Sequence, residues 1–97
     1  MELEDRSKQI AELLKILANE NRLLILCGLI KRPMTVSEIL KGVPKITQSA
    51  LSQHLTLLKV YGILDFNKSG QNVTYSIADN RVGKILNVLK KYYCEEE

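Results

Sequence analysis

Ninety-seven residues, 45% hydrophobic and 26% charged, specify one small folded domain of ordinary globular composition and leave no room for a second. No apolar run reaches the ~18 residues of a membrane span; the longest candidate, Leu23 to Ile30, is shorter and contains Gly28. The net charge of +3 is unevenly spread: Glu2, Glu4 and Asp5 open the chain, Glu95, Glu96 and Glu97 close it, and all 14 lysines and arginines lie between, giving a basic body that suits a polyanion or simply a soluble surface.

A first helix is expected from about Asp5 to Ala18, because Ile10, Leu13, Leu14 and Leu17 recur at the spacing of one helical stripe. Asn19-Glu20-Asn21 interrupts that pattern and offers a cap for a second helix, Asn21 to Lys31. Its stripe is Leu23, Leu26, Cys27 and Ile30, with Leu24 and Ile25 apolar on other faces, which predicts burial all round. Pro33 ends it. Thr35-Val36-Ser37-Glu38 has the form of a capping box opening a short third helix, which Gly42 and Pro44 stop. Thr47 caps a fourth helix running to about Tyr61. Leu51, Leu55 and Leu58 share one of its faces, and Ser49, Ser52, Gln53 and Thr56 share the opposite one. A merely solvated face is usually built from Lys and Glu; uncharged hydroxyls and amides suit hydrogen bonds to base edges and phosphates. Gly62 is placed to end this helix in the left-handed conformation. Leu64 and Phe66, then Val73, Tyr75 and Ile77, alternate with polar residues on either side of Ser69-Gly70-Gln71-Asn72, the pattern of a β-hairpin. Asp79 caps a last helix, about 79–94, with the stripe Val82, Ile85, Leu86, Leu89 and Tyr93.

The order predicts a mainly α domain with a β-hairpin wing: a helix-turn-helix at about 35–61, a wing at about 63–77 and flanking helices at about 5–18 and 79–94. At this point the chain resembles the ArsR/SmtB family of bacterial winged-helix repressors, from Leu13 to Cys94. The resemblance is carried by Leu17-Ala18-Asn19-Glu20-Asn21-Arg22-Leu23-Leu24-Ile25-Leu26, by Gln48-Ser49-Ala50-Leu51-Ser52-Gln53-His54-Leu55 and by Val73-Thr74-Tyr75-Ser76-Ile77. It implies a homodimer on double-stranded operator DNA. Two recognition helices would enter successive major grooves about 34–36 Å apart, over an imperfect inverted repeat. Gln48, Ser49, Ser52 and Gln53 are then expected on bases or phosphates, and Lys68 and Gln71 of the wing on the backbone or minor groove, with Lys45 and Lys59 nearby. His54 falls about 60° from Leu51, where both DNA contact and packing beside the turn remain open. Stripes left over on the flanking helices are the expected dimer interface, with Leu13, Leu17, Ile85 and Leu89 near it. The turn between Glu38 and Gln48 is one residue longer than in the family pattern.

The family's metal sites do not carry over. The stretch Arg32 to Glu38 lacks the cysteines of one branch; Asp79 matches a ligand of another, but Arg81 stands where the first histidine belongs, and His54 is the only histidine. No metal or cofactor is expected. The cysteines match the branch of biofilm-growth, sulfide-responsive and hemolysin regulators, which carries one Cys in the second helix and one at the end of the last: here Cys27 and Cys94. That resemblance implies a redox-sensing pair whose disulfide or polysulfide bridge alters operator affinity. Inert cysteines are the alternative, since Cys27 lies on an apolar face where a thiol usually serves as a small hydrophobe. Lys90 and Lys91 flank Cys94, and Glu95 to Glu97 oppose them. A winged helix used only for protein contact is a further reading, against which the uncharged Ser/Gln face counts. No Gly-rich phosphate loop, paired-carboxylate site or His-based triad is present, so an enzyme is not expected. The acidic start is unlike a signal peptide, and the expected location is the cytoplasm.

Overall fold

Local side-chain chemistry sets the element ends. In the computed structural model, which describes residues 2–93, the order is α1 (Glu2–Leu17), α2 (Glu20–Lys31), β1 (Met34–Thr35), α3 (Val36–Gly42), α4 (Gln48–Val60), β2 (Leu64–Ser69), β3 (Asn72–Ile77) and α5 (Asn80–Tyr93). Asn19 Oδ1 caps α2 by accepting the Arg22 N–H at 3.0 Å. At α3 the capping box forms in full, with Glu38 N–H donating to Thr35 Oγ1 at 3.3 Å and Thr35 N–H to Glu38 Oε1 at 2.9 Å. Thr47 Oγ1 caps α4 through the Ala50 N–H at 3.0 Å. Asp79 Oδ1 takes the Arg81 N–H at 2.9 Å at the entry to α5.

The end of α4 is a Schellman motif. Gly62 adopts φ +76°, its N–H donates to the Lys59 carbonyl, and the Ile63 N–H donates to the Leu58 carbonyl, both at 2.9 Å. Ile63 then roots the hairpin: its own carbonyl accepts the N–H groups of Ala78, at 2.8 Å, and Asp79, at 3.4 Å, where the chain leaves β3. Between these points β2 and β3 pair antiparallel from Leu64↔Ile77 to Ser69↔Asn72. The two-residue loop has Gly70 at φ +62° in its first central position, the arrangement of a type II′ turn matched to the strand twist.

One buried cluster joins the helices and the wing base: Leu17 of α1, Ile25, Leu26 and Leu29 of α2, Ile39 of α3 and Val43 just after it, Leu51, Leu55 and Leu58 of α4, Ile63 and Leu64, and Val82 and Leu86 of α5. Four expectations need correction. The first helix begins at Glu2, earlier than Asp5, because Glu2, Glu4 and Asp5 suit the positive end of a helix dipole. A third strand, β1, pairs with β3 through Met34↔Tyr75 and Thr35↔Thr74, giving the order β1-β3-β2. The second helix is not buried all round, since Leu24 is 51% exposed. Leu17 is not free for a dimer contact; it lies in the protomer's own core, while Leu13 packs half-buried against it. The large apolar side chains left uncovered on the flanking helices are Leu3, Ile10 and Leu14 of α1 and Val88, Leu89, Tyr92 and Tyr93 of α5. Among the described residues, no helix is long and apolar enough to cross a membrane.

Candidate nucleic-acid interface

Because Leu51, Leu55 and Leu58 are drawn into the core, the opposite face of α4 must point outward. Gln48, Ser49, Ser52, Gln53 and Thr56 are all exposed. Ser49, Ser52, Gln53 and Thr56 line a shallow groove that continues to Leu57 and Val60. Val60 was not among the sequence-based candidates. It follows Thr56 by four positions, so the same helical period reaches it, and it is 74% exposed. The first turn of α4 carries no acidic residue, which leaves its positive dipole end and uncapped N–H groups suited to a phosphate. Lys45 in the preceding turn and Lys68 and Gln71 at the hairpin tip are exposed. Lys59 turns aside to the wing, where its Nζ lies 5.0 Å from the centre of the Phe66 ring. Phe66 in turn packs against Tyr75 at 5.5 Å between ring centres.

His54 occupies a different setting from the other candidates. It is half-buried, and its Nδ1 lies 3.4 Å from Nη1 of Arg22 at the start of α2. Partial burial, and then the Arg22 charge, push its pKa below the usual imidazole value. A histidine with a folded-state pKa below the unfolded value contributes stability that is fully present above about pH 6.5 and is lost as pH falls through the folded value. The carboxyls of Glu38, bonded to the Thr35 N–H, and Asp79, bonded to Arg81, are held below the ordinary carboxylate range and titrate lower still. Urea unfolding is therefore expected to show stability declining as pH drops from 7 into mild acid, and His54→Gln should flatten that decline. Superimposable pH profiles for the two proteins would contradict it.

Cys27 lies half-buried in a mostly apolar groove between α2 and α5, lined also by Glu20, Leu23, Leu24, Leu86, Leu89, Lys90 and Tyr93. Its expected partner Cys94 lies outside the described residues, one position beyond Tyr93. Asp79, the position matching a metal ligand elsewhere in the family, is gripped by Arg81, with Nε at 3.0 Å from Oδ1 and Nη2 at 2.8 Å from Oδ2. That bidentate pair occupies both carboxylate oxygens. Among the described residues, no three His, Cys, Asp or Glu side chains gather as a metal site would require.

Residues 19–65, from the α2 cap into β2, match the family model for bacterial regulatory proteins of the arsR family. Over 94 residues the chain is 37% identical to the transcriptional activator HlyU of Vibrio cholerae, covering 97% of this chain and 86% of that protein. The structure of reduced HlyU from V. cholerae superposes with a TM-score of 0.90 at 37% identity, covering 97% of this chain and 98% of the other. The transcriptional repressor BigR of Xylella fastidiosa superposes with a TM-score of 0.86 at 27% identity, covering 98% and 96%. The chain belongs to the arsR family and is a winged helix-turn-helix, DNA-binding transcriptional regulator.

Proposed function

We propose that this regulator acts as a homodimeric repressor, with α4 as the recognition helix, and that Cys27 and Cys94 switch its affinity for operator DNA. The observation that carries the DNA reading is the uncharged polar face of α4, exposed while its other face is fixed in the core. Ser and Gln side chains there reach base edges, and Lys45, Lys68 and Gln71 meet the backbone on either side.

Dimerisation would cover Ile10 and Leu14 of α1 with Val88, Leu89 and Tyr92 of α5, a set too apolar to be left in water by a chain with so small a core of its own. The protein is expected to sediment as a dimer at micromolar concentration. Leu14→Lys together with Leu89→Lys should shift it to monomer without loss of helical signal. A wild-type monomer at that concentration would end this reading.

For the switch, Cys27 lies half-buried in a groove that Lys90 and Tyr93 also line, and Tyr93 is the residue before Cys94. That a relative was solved in a form named reduced, and that another bears the name repressor, supports both parts of the reading. In the proposed step, the Cys94 thiolate attacks a sulfane sulfur of a polysulfide and expels the shortened polysulfide as its anion. Cys27 then attacks the Cys94 persulfide. If it attacks the inner sulfur, a disulfide forms and hydrosulfide leaves. Where the first step leaves a longer hydropolysulfide chain on Cys94, Cys27 attacks the sulfur next to the Cys94 sulfur, the rest of the chain leaves as its anion, and one extra sulfur stays in the bridge. Either bridge ties α5 to α2 and changes the spacing of the recognition helices. Mass spectrometry after polysulfide treatment should show loss of two hydrogens, with or without added sulfur atoms, and operator binding should weaken. A Cys27→Ser, Cys94→Ser protein that still releases DNA on polysulfide treatment would refute the switch.

A further inference from the structure

The corner between α1 and α2 is filled by one side chain. Arg22 has its N–H fixed on the Asn19 cap at 3.0 Å, which sets where its side chain leaves α2. Its Nε donates to the Ile16 carbonyl at 2.6 Å. That carbonyl belongs to the last turn of α1, where helix carbonyls lack partners within the helix, and a cation there also opposes the negative dipole end. The far side of the same guanidinium reaches α4, with Nη1 at 3.4 Å from Nδ1 of His54. One planar group therefore bears on the end of α1, the start of α2 and the middle of α4.

The chemistry of that contact is directional. A guanidinium only donates, so Nδ1 of His54 must accept and the ring proton must sit on Nε2. Of the charged groups, Arg22 is the one whose field reaches the imidazole. His54 follows Ser52 and Gln53 directly in sequence, on the flank between the polar face of α4 and its buried leucines. The leucines hold α4 against the core, but apolar packing is not directional, and a helix resting on three leucines can still roll. A hydrogen bond at the flank resists that roll.

We propose that Arg22 is a positioning residue for DNA binding: anchored on the end of α1, it fixes the roll of α4 through His54 and so ties the recognition helix to the helix that carries the candidate dimer stripe. This rests on α4 being the recognition helix. A lysine at position 22 would retain charge but not the fork that spans both acceptors.

The test uses the full-length protein and a duplex of about 30 bp, long enough for two half-sites a helical turn apart, enriched by the wild-type protein from a random-sequence pool. Arg22→Lys and His54→Leu are each expected to weaken binding to that duplex about tenfold, the scale of one hydrogen bond to a charged group. Binding to unrelated DNA should stay within about twofold, because phosphate contacts are untouched. The double variant should be no weaker than the weaker single one, and His54→Gln, whose amide oxygen accepts, should restore most of the loss. Additive losses, or equal losses on both DNAs, would overturn the proposal. So would a His54→Gln protein as weak as His54→Leu. A second measurement needs no DNA: the nitrogen NMR signals of the single histidine should report the Nε2–H form in the wild type and a mixture of tautomers in Arg22→Lys. Unchanged signals in that variant would reject the contact itself, whereas failure of the wild type to enrich any duplex would reject the recognition-helix reading instead.

Discussion

Replacing Ser52 and Gln53 together by alanine is expected to weaken operator binding by about 1–3 kcal/mol for each base-specific hydrogen bond removed, the largest functional effect available to substitutions that leave the core alone. Both side chains are exposed on α4, on the face opposite its buried leucines. Alanine favours helix at least as well as either residue, so the folded state should lose no stability. The lysines of the turn and wing remain, so salt-dependent binding to unrelated DNA should persist while discrimination collapses. Fluorescence anisotropy with a selected and an unrelated duplex, over a series of salt concentrations, separates the two effects. A folded double variant with full operator affinity would remove this face from the interface.

The largest effect on stability is expected from Leu55→Ala. Leu55 is 1% exposed and lies between Leu51 and Leu58 on the buried side of α4. Truncation strips away apolar packing and leaves a cavity that a tightly packed cluster closes only in part, a cost of about 2–5 kcal/mol. A domain of this size has about 5–15 kcal/mol of total stability, so the variant should unfold at much lower urea and lose DNA binding with its fold. Because a dimer's stability depends on its concentration, wild type and variant must be compared at equal protomer concentration. A loss under about 1 kcal/mol, well below the range for buried leucines, would mean that the neighbours of Leu55 move in to fill its place.

These two substitutions also mark what the sequence makes legible. Both faces of α4 follow from a period of 3.6 residues, and its ends follow from Thr47 and Gly62, whose roles are local chemistry. The capping box at Thr35 and the alternation across the hairpin are local in the same sense. What escapes is what depends on distant partners. β1 is two residues long, too short for any period, and exists because Tyr75 and Thr74 lie opposite Met34 and Thr35. Leu14 and Leu17 share one stripe in sequence, yet Leu17 is buried by the protomer while Leu14 is 51% exposed, a division decided by which side of α1 faces the core cluster. The Arg22 contact with His54 joins positions 32 apart and has no sequence signature. Val60 was within reach of the period and was missed because an apolar residue at a helix end reads as core.

The clasp at Ile63 has an evolutionary consequence. Both ends of the hairpin return to that one residue and β1 pairs with β3 only at Thr74 and Tyr75, so the arm beyond that pairing, between positions 68 and 73, can lengthen or shorten in matched pairs while α4 and α5 stay where they are. The wing is thus an exchangeable cassette. Descendants of this chain can change how far along a duplex they reach, or which charges they carry there, without renegotiating the core that sets the recognition helix.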